Sequence, residues 1–366
     1  MSNTPFSIKV PGKLMVAGEF AVLEPHHDSI VMAVNRFVYA TLEMSEQNKL
    51  TLKNFDLQNI SWAYRDNHIQ MSCDDARTRF VKDAMEIALK YTEEHDISIQ
   101  PFSLSIKSEL DDESGIKYGL GSSAAVVTAV ISIILKKFLP KKATDKIIFK
   151  LAAISHIKTQ GNGSGADVAA STYGGMIKYS SFQADWLKEA MKESHSLSNL
   201  VAMKWPYLSI ERMNLPSPHV ELCVGWTGNP ASTARLVDKI LTLKRDQPNV
   251  YEQFLTKSDQ AVSKFINGLN EQDVSLLYEG MTLNRKALSE LGKAANANIE
   301  TSLLRQLCDL AEQTPGAGKP SGAGGGDCGI AFVSSRDLAI QLKTKWEKAG
   351  IKPLELSIDP HGTIEY

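Results

Sequence analysis

Cysteine is scarce in this chain. Cys73, Cys223, Cys308 and Cys328 are the only four among 366 residues. No two form a Cys-x-x-Cys pair, and none lie close enough in sequence for a metal knuckle. Their scatter reads as reduced thiols in a cytosolic protein. The first three are expected as buried small hydrophobes, and Cys328 near any ligand of the glycine-rich stretch it sits in. Excess charge of either sign is also missing: 40 basic against 42 acidic residues give a formal net charge of -2. That balance gives no reason to expect a nucleic-acid or anionic-membrane partner, although it leaves room for a local basic pocket. Long apolar runs are absent as well. The longest, from Ala124 to Leu135, is interrupted by Thr128 and Ser132 and suits a buried helix, not a bilayer span. The first eight residues have neither a basic start nor an apolar core, so no secretion signal is expected.

Several nucleotide-binding signatures are missing too. No Gly-x-x-x-x-Gly-Lys-Ser/Thr occurs, and Gly318-Lys319 runs into Pro320 where a hydroxyl residue would be needed. There is no His-Arg-Asp and no Asp-Phe-Gly, which excludes a protein kinase. No Gly-x-Gly-x-x-Gly follows a strand to open a helix. The eight histidines have no metal-ligand spacing; His26-His27 reads as a surface turn after Pro25.

What the chain has is glycine, concentrated in four places. Pro11-Gly-Lys-Leu-Met-Val-Ala-Gly-Glu19 follows a predicted strand at Ile8 to Val10, which puts Lys13 at a strand end. Lys13 and Glu19 each read, alone, as ordinary surface charges. Gly119-Leu-Gly-Ser-Ser-Ala-Ala125 runs straight into an apolar helix predicted from about Ser122 to Phe138. Glycines let a backbone approach an anion closely, and a helix N-terminus presents free N–H groups and partial positive charge. Ser122 or Ser123 could cap that helix, and a serine there could equally ligate Mg2+. On local grounds a capped turn with no ligand is as good a reading. Gly161-Asn-Gly-Ser-Gly-Ala-Asp167 places Asp167 where it could cap a helix or accept a proton from a substrate hydroxyl. Lys319-Pro-Ser-Gly-Ala-Gly-Gly-Gly-Asp327 reads either as a linker or as a loop wrapping backbone N–H groups around an anion.

Around these segments the periodicities predict strands at Val31 to Leu42, Leu50 to Leu52 and Phe102 to Ile106, and helices over Arg79 to His95 and Lys146 to Lys158. A second half, beyond Leu187 to Pro218, is expected to start with a strand over Val220 to Trp226. Helices follow over Thr233 to Lys244, Asn249 to Asn267, Glu271 to Leu291 and Glu300 to Glu312. A strand at Gly329 to Val333, a helix at Arg336 to Ala349 and a strand at Leu354 to Ile358 complete it. Pro206, Pro216 and Pro218 mark the expected boundary.

Taken together, the four segments resemble the GHMP kinase superfamily of galactokinase, homoserine kinase, mevalonate kinase and phosphomevalonate kinase. Pro11-Gly-Lys13 to Gly18-Glu19 is similar to its first motif, Gly119 to Ala125 to its ATP-phosphate loop, and Gly322 to Asp327 to its third motif, in that order along nearly the whole chain. One departure is Gly115, where the family has a proline four residues before the loop glycine. Pro101-Phe-Ser-Leu104, Val224-Gly-Trp-Thr227, Leu303-Leu-Arg-Gln-Leu307 and Ser321 to Ala331 resemble the bacterial phosphomevalonate kinase branch.

The resemblance implies an α+β, two-domain GHMP kinase fold. It has a ribosomal protein S5 domain 2-like N-terminal domain over 1–205 and a ferredoxin-like C-terminal domain over 206–366. It also implies a cytoplasmic enzyme, monomer or homodimer, that uses ATP and Mg2+ to phosphorylate 5-phosphomevalonate on its phosphate. Gly119, Leu120, Gly121, Ser122, Ser123, Ala124 and Ala125 would hold the ATP phosphates, with Ser122 or Ser123 on Mg2+. Lys13 and Asp167 would face the reacting phosphates, Asp167 as base or as orienter of Lys13 or the metal. Lys9, Glu19, Ser164, Gly322, Ala323, Gly324 and Gly325 would contact the acceptor. Arg36, Arg212, Arg235 and Ser232 are further candidates for its phosphate. Mevalonate kinase, with an alcohol acceptor, mevalonate diphosphate decarboxylase and a silent ligand sensor on the same fold are the rivals.

Overall fold

The computed structural model describes residues 4–141, 143–213 and 220–366. Two sheets organise it. The larger has nine strands. Its central path begins with β1 (Phe6–Ala17), β2 (Asp28–Met44), β3 (Lys49–Leu52), β4 (Leu57–Arg65) and β5 (His68–Met71). After helix α1 (Arg79–Glu93), β6 (Phe102–Ser108) enters the sheet between β2 and β3, pairing antiparallel with the former and parallel with the latter. Helices α2 (Ser122–Phe138), α3 (Asp145–Gln160) and α4 (Ala166–Tyr173) follow. Strand β7 (Met176–Ser180) then pairs with the start of β2.

Val10, Leu14, Val16, Ile30, Val38, Ala40 and Leu42 from this sheet are buried together with the apolar faces of α1 to α4. The pairing of β1 with β2 shifts register twice, between Pro11 and Gly12 and between Met15 and Ala17. The first shift re-aims the strand, as bulges do, and Lys13 follows directly. Lys13 therefore lies in mid-strand, not at a strand end as expected, because β1 continues through the bulge to Ala17.

Helices α5 (Ala184–Glu193) and α6 (Leu197–Ala202) cover one flank and lead to strand β8 (Ser209–Met213), which joins the large sheet beside β7. Of the expected boundary residues, Pro216 and Pro218 lie outside the described residues. We keep 1–205 and 206–366 as a proposed division. Two strands on the later side belong to the earlier sheet: β8, and a short C-terminal strand at Ile364–Glu365 that pairs with β1.

Lys150 of α3 shows how this part is held. It is 1% exposed, and its ammonium donates to the carbonyls of Val201 (2.8 Å) and Met203 (2.6 Å) at the end of α6. Burial pushes its pKa down to about 8, with Lys146 adding to the effect. Lys150→Met is expected to cost about 2 kcal/mol by leaving two carbonyls unpaired. Between about pH 8 and the unfolded lysine value near 10.4, the folded state holds fewer protons, so this group makes stability rise with pH. Urea midpoints of both proteins across that window test the point: the variant should lose this part of the upward slope.

The smaller sheet has four antiparallel strands: β9 (Glu221–Trp226), β10 (Gly316–Pro320), β11 (Cys328–Val333) and β12 (Lys352–Leu354), in spatial order β10-β11-β9-β12. Helices α7 (Thr233–Asp246), α8 (Pro248–Asn270), α9 (Val274–Ala294) and α10 (Ser302–Glu312) separate β9 from β10, and α11 (Arg336–Lys348) separates β11 from β12. That order is the split β-α-β-β-α-β arrangement of ferredoxin-like domains, as expected for this half. Every residue of β11 is buried. Ile330 and Phe332 enter the large core, while Ala331 and Val333 enter a smaller one with Leu307, Leu342 and Trp346. The expected strand over Leu354 to Ile358 ends at Leu354 instead. The chain there leaves the small sheet, and Ile358 bridges Val34 of β2. Among the described residues no helix is long and apolar enough to cross a membrane. The cysteines are free, Cys73 half-buried and the other three buried.

Candidate active site

The four glycine-rich segments converge. The backbone N–H of Lys13 donates to the carbonyl of Leu120 at 2.8 Å, and its ammonium donates to the carbonyl of Gly119 at 3.1 Å. The first segment thus lies along the second. The helix that carries Asp167 docks on the same strand, where Ser171 Oγ donates to the carbonyl of Pro11 at 2.9 Å. The third segment, Lys319 to Asp327, which carries the third family motif, closes from the other half of the chain. Ser321 Oγ accepts from the N–H of Met15 and donates to its carbonyl, both at 2.9 Å. Cys328 Sγ donates to the carbonyl of Tyr118 at 3.1 Å. Asp327 packs directly on Gly119.

Helix α2 points its N-terminus into this convergence without a side-chain cap. Gly121, at φ 77°, occupies the cap position, so the expected cap by Ser122 or Ser123 does not form. Ser123 Oγ lies 3.1 Å from Nε2 of the buried His156. The Ser122 hydroxyl has no partner among the described residues. Ala125 is the first residue of the turn whose N–H is bonded within the helix, to Gly121. The N–H groups of Ser122, Ser123 and Ala124 are therefore open. Side chains of Thr144, Ser196, Asp273, Thr301 and Ser335 close α3, α6, α9, α10 and α11, whereas α2 shares an uncapped start with α1, α4, α5, α7 and α8. An uncapped helix start reached by a glycine turn is a site for phosphate oxygens.

Asp167 is not a cap either. Gly165 holds that position in α4, and Asp167 sits in the first turn, its Oδ1 accepting from the N–H of Val168 at 2.9 Å. Its negative charge suits that helix end. Ser164, in the turn before it, receives the Tyr179 hydroxyl on its carbonyl at 2.6 Å, and its own hydroxyl accepts from the N–H of Ala166 at 3.3 Å.

Glu19 is not the exposed charge its local sequence suggested. It is 3% exposed. One carboxylate oxygen is ion-paired to Lys319 and accepts from the N–H of Gly322 at 3.4 Å. The other accepts from Asn284 Nδ2 at 2.9 Å. Lys319 and Asn284, 0% and 1% exposed, carry no local signal, since their partner lies hundreds of residues away.

The third segment is also shorter as a loop than expected. Gly316–Pro320 is strand β10, which leaves Ser321 to Asp327 as the turn. Within it the N–H groups of Ser321, Gly325 and Asp327 go to the carbonyls of Cys328, Ile299 and Asn229, and that of Gly322 to Glu19. Only Ala323, Gly324 and Gly326 keep N–H groups uncommitted to protein among the described residues. The expected wrap of N–H groups is thus partial.

The basic candidates disperse. The Lys9 ammonium lies 4.3 Å from the centre of the Phe37 ring. The Arg36 guanidinium stacks at 4.6 Å over Tyr118, beside the phosphate-type loop. Arg212 donates to the carbonyl of Tyr173. Arg235 and Ser232 are exposed at the start of α7. Burial raises the pKa of Asp327, which accepts from the N–H of Ala231 at 3.1 Å. Its carboxylate was not singled out from sequence, although it ends the third motif. Among the described residues no cluster of three or more histidine, cysteine or acidic side chains could hold a metal ion.

Two family models match the sequence, GHMP kinases N terminal domain over residues 79–175 and GHMP kinases C terminal over residues 265–352. A phosphomevalonate kinase from a Streptomyces species is 34% identical over 363 residues, covering 95% of each chain. Among solved structures, the Lin0012 protein from Listeria innocua superposes with a TM-score of 0.93 at 41% identity, covering 99% of each chain. Streptococcus pneumoniae phosphomevalonate kinase, in complex with phosphomevalonate and AMPPNP, superposes with a TM-score of 0.84 at 26% identity, covering 96% of this chain and 99% of that one.

Proposed function

The chain belongs to the GHMP kinases, and from that membership we propose that it transfers the γ-phosphoryl group of ATP to the phosphate of 5-phosphomevalonate, giving 5-diphosphomevalonate and ADP. The observation that carries the reading is the open N-terminus of α2, reached through Gly119-Leu-Gly121 and flanked by the Lys13 ammonium. In this reading the N–H groups of Ser122, Ser123 and Ala124 take the ATP phosphate oxygens, supported by the helix dipole.

The residues also fit Mg2+ as a partner of the nucleotide. Mg2+ prefers substrate phosphates and water to an all-protein cage, so one free hydroxyl is an adequate protein ligand. Ser122 offers one, while Ser123 already contacts His156. When bound, the ion would neutralise charge on the transferring group.

The acceptor sets the chemical demand. A phosphate monoester is mostly a dianion at neutral pH, so it attacks without first losing a proton. Catalysis then rests on neutralising charge and holding donor and acceptor in line. Lys13 supplies the charge, and Asp167 orients it or the metal without serving as a base. Ser164, Lys9, Arg36 and the open N–H groups of Ala323 and Gly324 are proposed for the acceptor side. In this reading the enzyme works in the cytoplasm as a monomer or homodimer, with small-molecule partners only.

The test is ADP release coupled to a reporter, with 5-phosphomevalonate and mevalonate offered separately. Turnover is expected with the phosphorylated acceptor alone. Turnover with mevalonate but not with 5-phosphomevalonate would move the chain to the alcohol-phosphorylating branch, and ATP binding without turnover of either would make it a sensor.

A further inference from the structure

The Glu19 carboxylate offers four lone-pair directions, and three are taken by donors from distant parts of the chain: Lys319 Nζ, the N–H of Gly322 and Asn284 Nδ2. Asn284 in turn accepts from the N–H of Gly18 through Oδ1 at 3.3 Å, and Lys319 also donates to the carbonyl of Pro320 at 2.6 Å. All three side chains are buried. The network therefore ties the end of the first glycine segment, helix α9 and the start of the third segment at one point. The Ser321 hydroxyl adds a fourth tie beside it, spanning the N–H and carbonyl of Met15.

We propose that Glu19 and Lys319 form a positioning latch that fixes the Gly322 to Asp327 loop over the first glycine segment, and that Glu19 acts through this loop without touching substrate. The inference rests on the phosphotransfer reading above for its kinetic consequences, but not for its structural ones.

A buried ion pair is weak evidence for stability, since an apolar pair of similar volume often does as well. The pair placed here has another consequence: its carboxylate orients a backbone N–H of a loop whose three remaining open N–H groups lie within the next four residues. Reaction geometry is sensitive to shifts of about 1 Å, and Glu19 holds the entry of this loop together with the Ser321 contacts.

Three variants separate a latch from a fold-stabilising pair. Lys319→Met leaves a buried carboxylate without its counter-ion, Glu19→Met leaves Lys319, Asn284 Nδ2 and the N–H of Gly322 without their shared acceptor, and both are expected to lower Tm. The double variant Glu19→Met/Lys319→Met removes both charges and is expected to melt above at least one of the single variants. If positioning is the role, the double variant keeps a fast loop. The hydrogen-bonded amides of the loop, those of Gly322, Gly325 and Asp327, are expected to exchange about ten-fold faster or more than in the wild type, with no ligand present. The KM for 5-phosphomevalonate is expected to rise about ten-fold or more while that for ATP stays within about two-fold.

Glu19→Gln covers the case in which the double variant does not fold. Its near-isosteric amide removes the charge that pairs with Lys319 and either turns its NH2 toward Asn284, losing that one bond, or toward Lys319 and Gly322, losing both of theirs, and the same faster exchange is expected. Unchanged exchange of the Gly322, Gly325 and Asp327 amides in whichever of these two variants folds overturns the latch. Should the wild type fail to use 5-phosphomevalonate, the functional reading fails while the exchange comparison still decides the latch.

Discussion

Lys13→Met is expected to reduce turnover about 100-fold or more while leaving Tm close to the wild-type value. The side chain is half-buried, and among the described residues its one polar contact is the donation to the carbonyl of Gly119, so little of the fold depends on it. Its ammonium stands at the loop proposed to hold the transferring phosphate. A cation fixed there needs no reorganisation as charge develops, which is where preorganised groups contribute most. Methionine keeps the stem and removes only the charge, and Lys13→Arg would present a broader, forked cation that the contact with Gly119 does not accommodate equally. Asp167→Asn supplies the contrast. If the acceptor is a dianion, no base is required, and the amide can still accept from the N–H of Val168. Its turnover is expected to stay within about ten-fold of the wild type, short of the 100-fold or more that loss of general-base catalysis brings. Single-turnover kinetics on both variants checks the pair: a large loss for Asp167→Asn with a small one for Lys13→Met would reverse the assignment.

Gly119→Ala is expected to be nearly as damaging, by a different route. Gly119 has φ +83°, and a methyl group on it would meet Asp327 Cβ at 2.5 Å, Cγ at 2.6 Å and Oδ2 at 2.7 Å. The left-handed backbone alone costs an L-residue about 1 kcal/mol. The overlap adds a second demand, since the second and third glycine segments must separate to admit the methyl. Because Asp327 is held by Ala231, Asn229 and Thr227, the displacement falls on the loop that presents the open N–H groups. The KM for ATP is expected to rise about ten-fold or more, with kcat falling as well. Gly115→Ala is the matching control. Gly115 has φ +81° with nothing within 4 Å of the added carbon, so it carries the backbone strain without the crowding. Equal effects from the two substitutions would show that strain, not the contact with Asp327, governs the loop.

Legibility from sequence differed by element, and the reason is physical in each case. Helix α2 was predicted at its observed bounds because an apolar run bracketed by Gly121 and Pro140 leaves little choice. Strand β11 and helices α7 to α10 were similarly plain from their periodicity. Strand β10 was hidden: Gly-Ala-Gly-Lys-Pro has no β-branched or aromatic residue, and it is a strand because β11 supplies its partners. Strand β8, three of whose five residues are polar or charged and none of which is buried, gave no signal either. At the candidate site, Lys13, Asp167 and the Gly119 to Ala125 loop had ordinary local readings, and only the order of the four segments along the chain, through its resemblance to a family, pointed to them. Glu19 was misjudged as an exposed charge, and Lys319 looked like an incomplete P-loop lysine. Each is explained by the other across 300 positions, a separation about which local spacing says nothing. The serine cap also failed, because nothing in Gly-Leu-Gly-Ser-Ser tells which residue takes the left-handed cap conformation.

The phosphorus NMR spectrum of the product tests the central claim, transfer to a phosphate acceptor, most directly. With ATP and 5-phosphomevalonate, the account predicts that the acceptor's single phosphomonoester resonance is replaced by a coupled pair of diphosphate resonances that grows in step with ADP. A new uncoupled phosphomonoester resonance, formed as ATP is consumed, would mean that a hydroxyl had been phosphorylated and would contradict it.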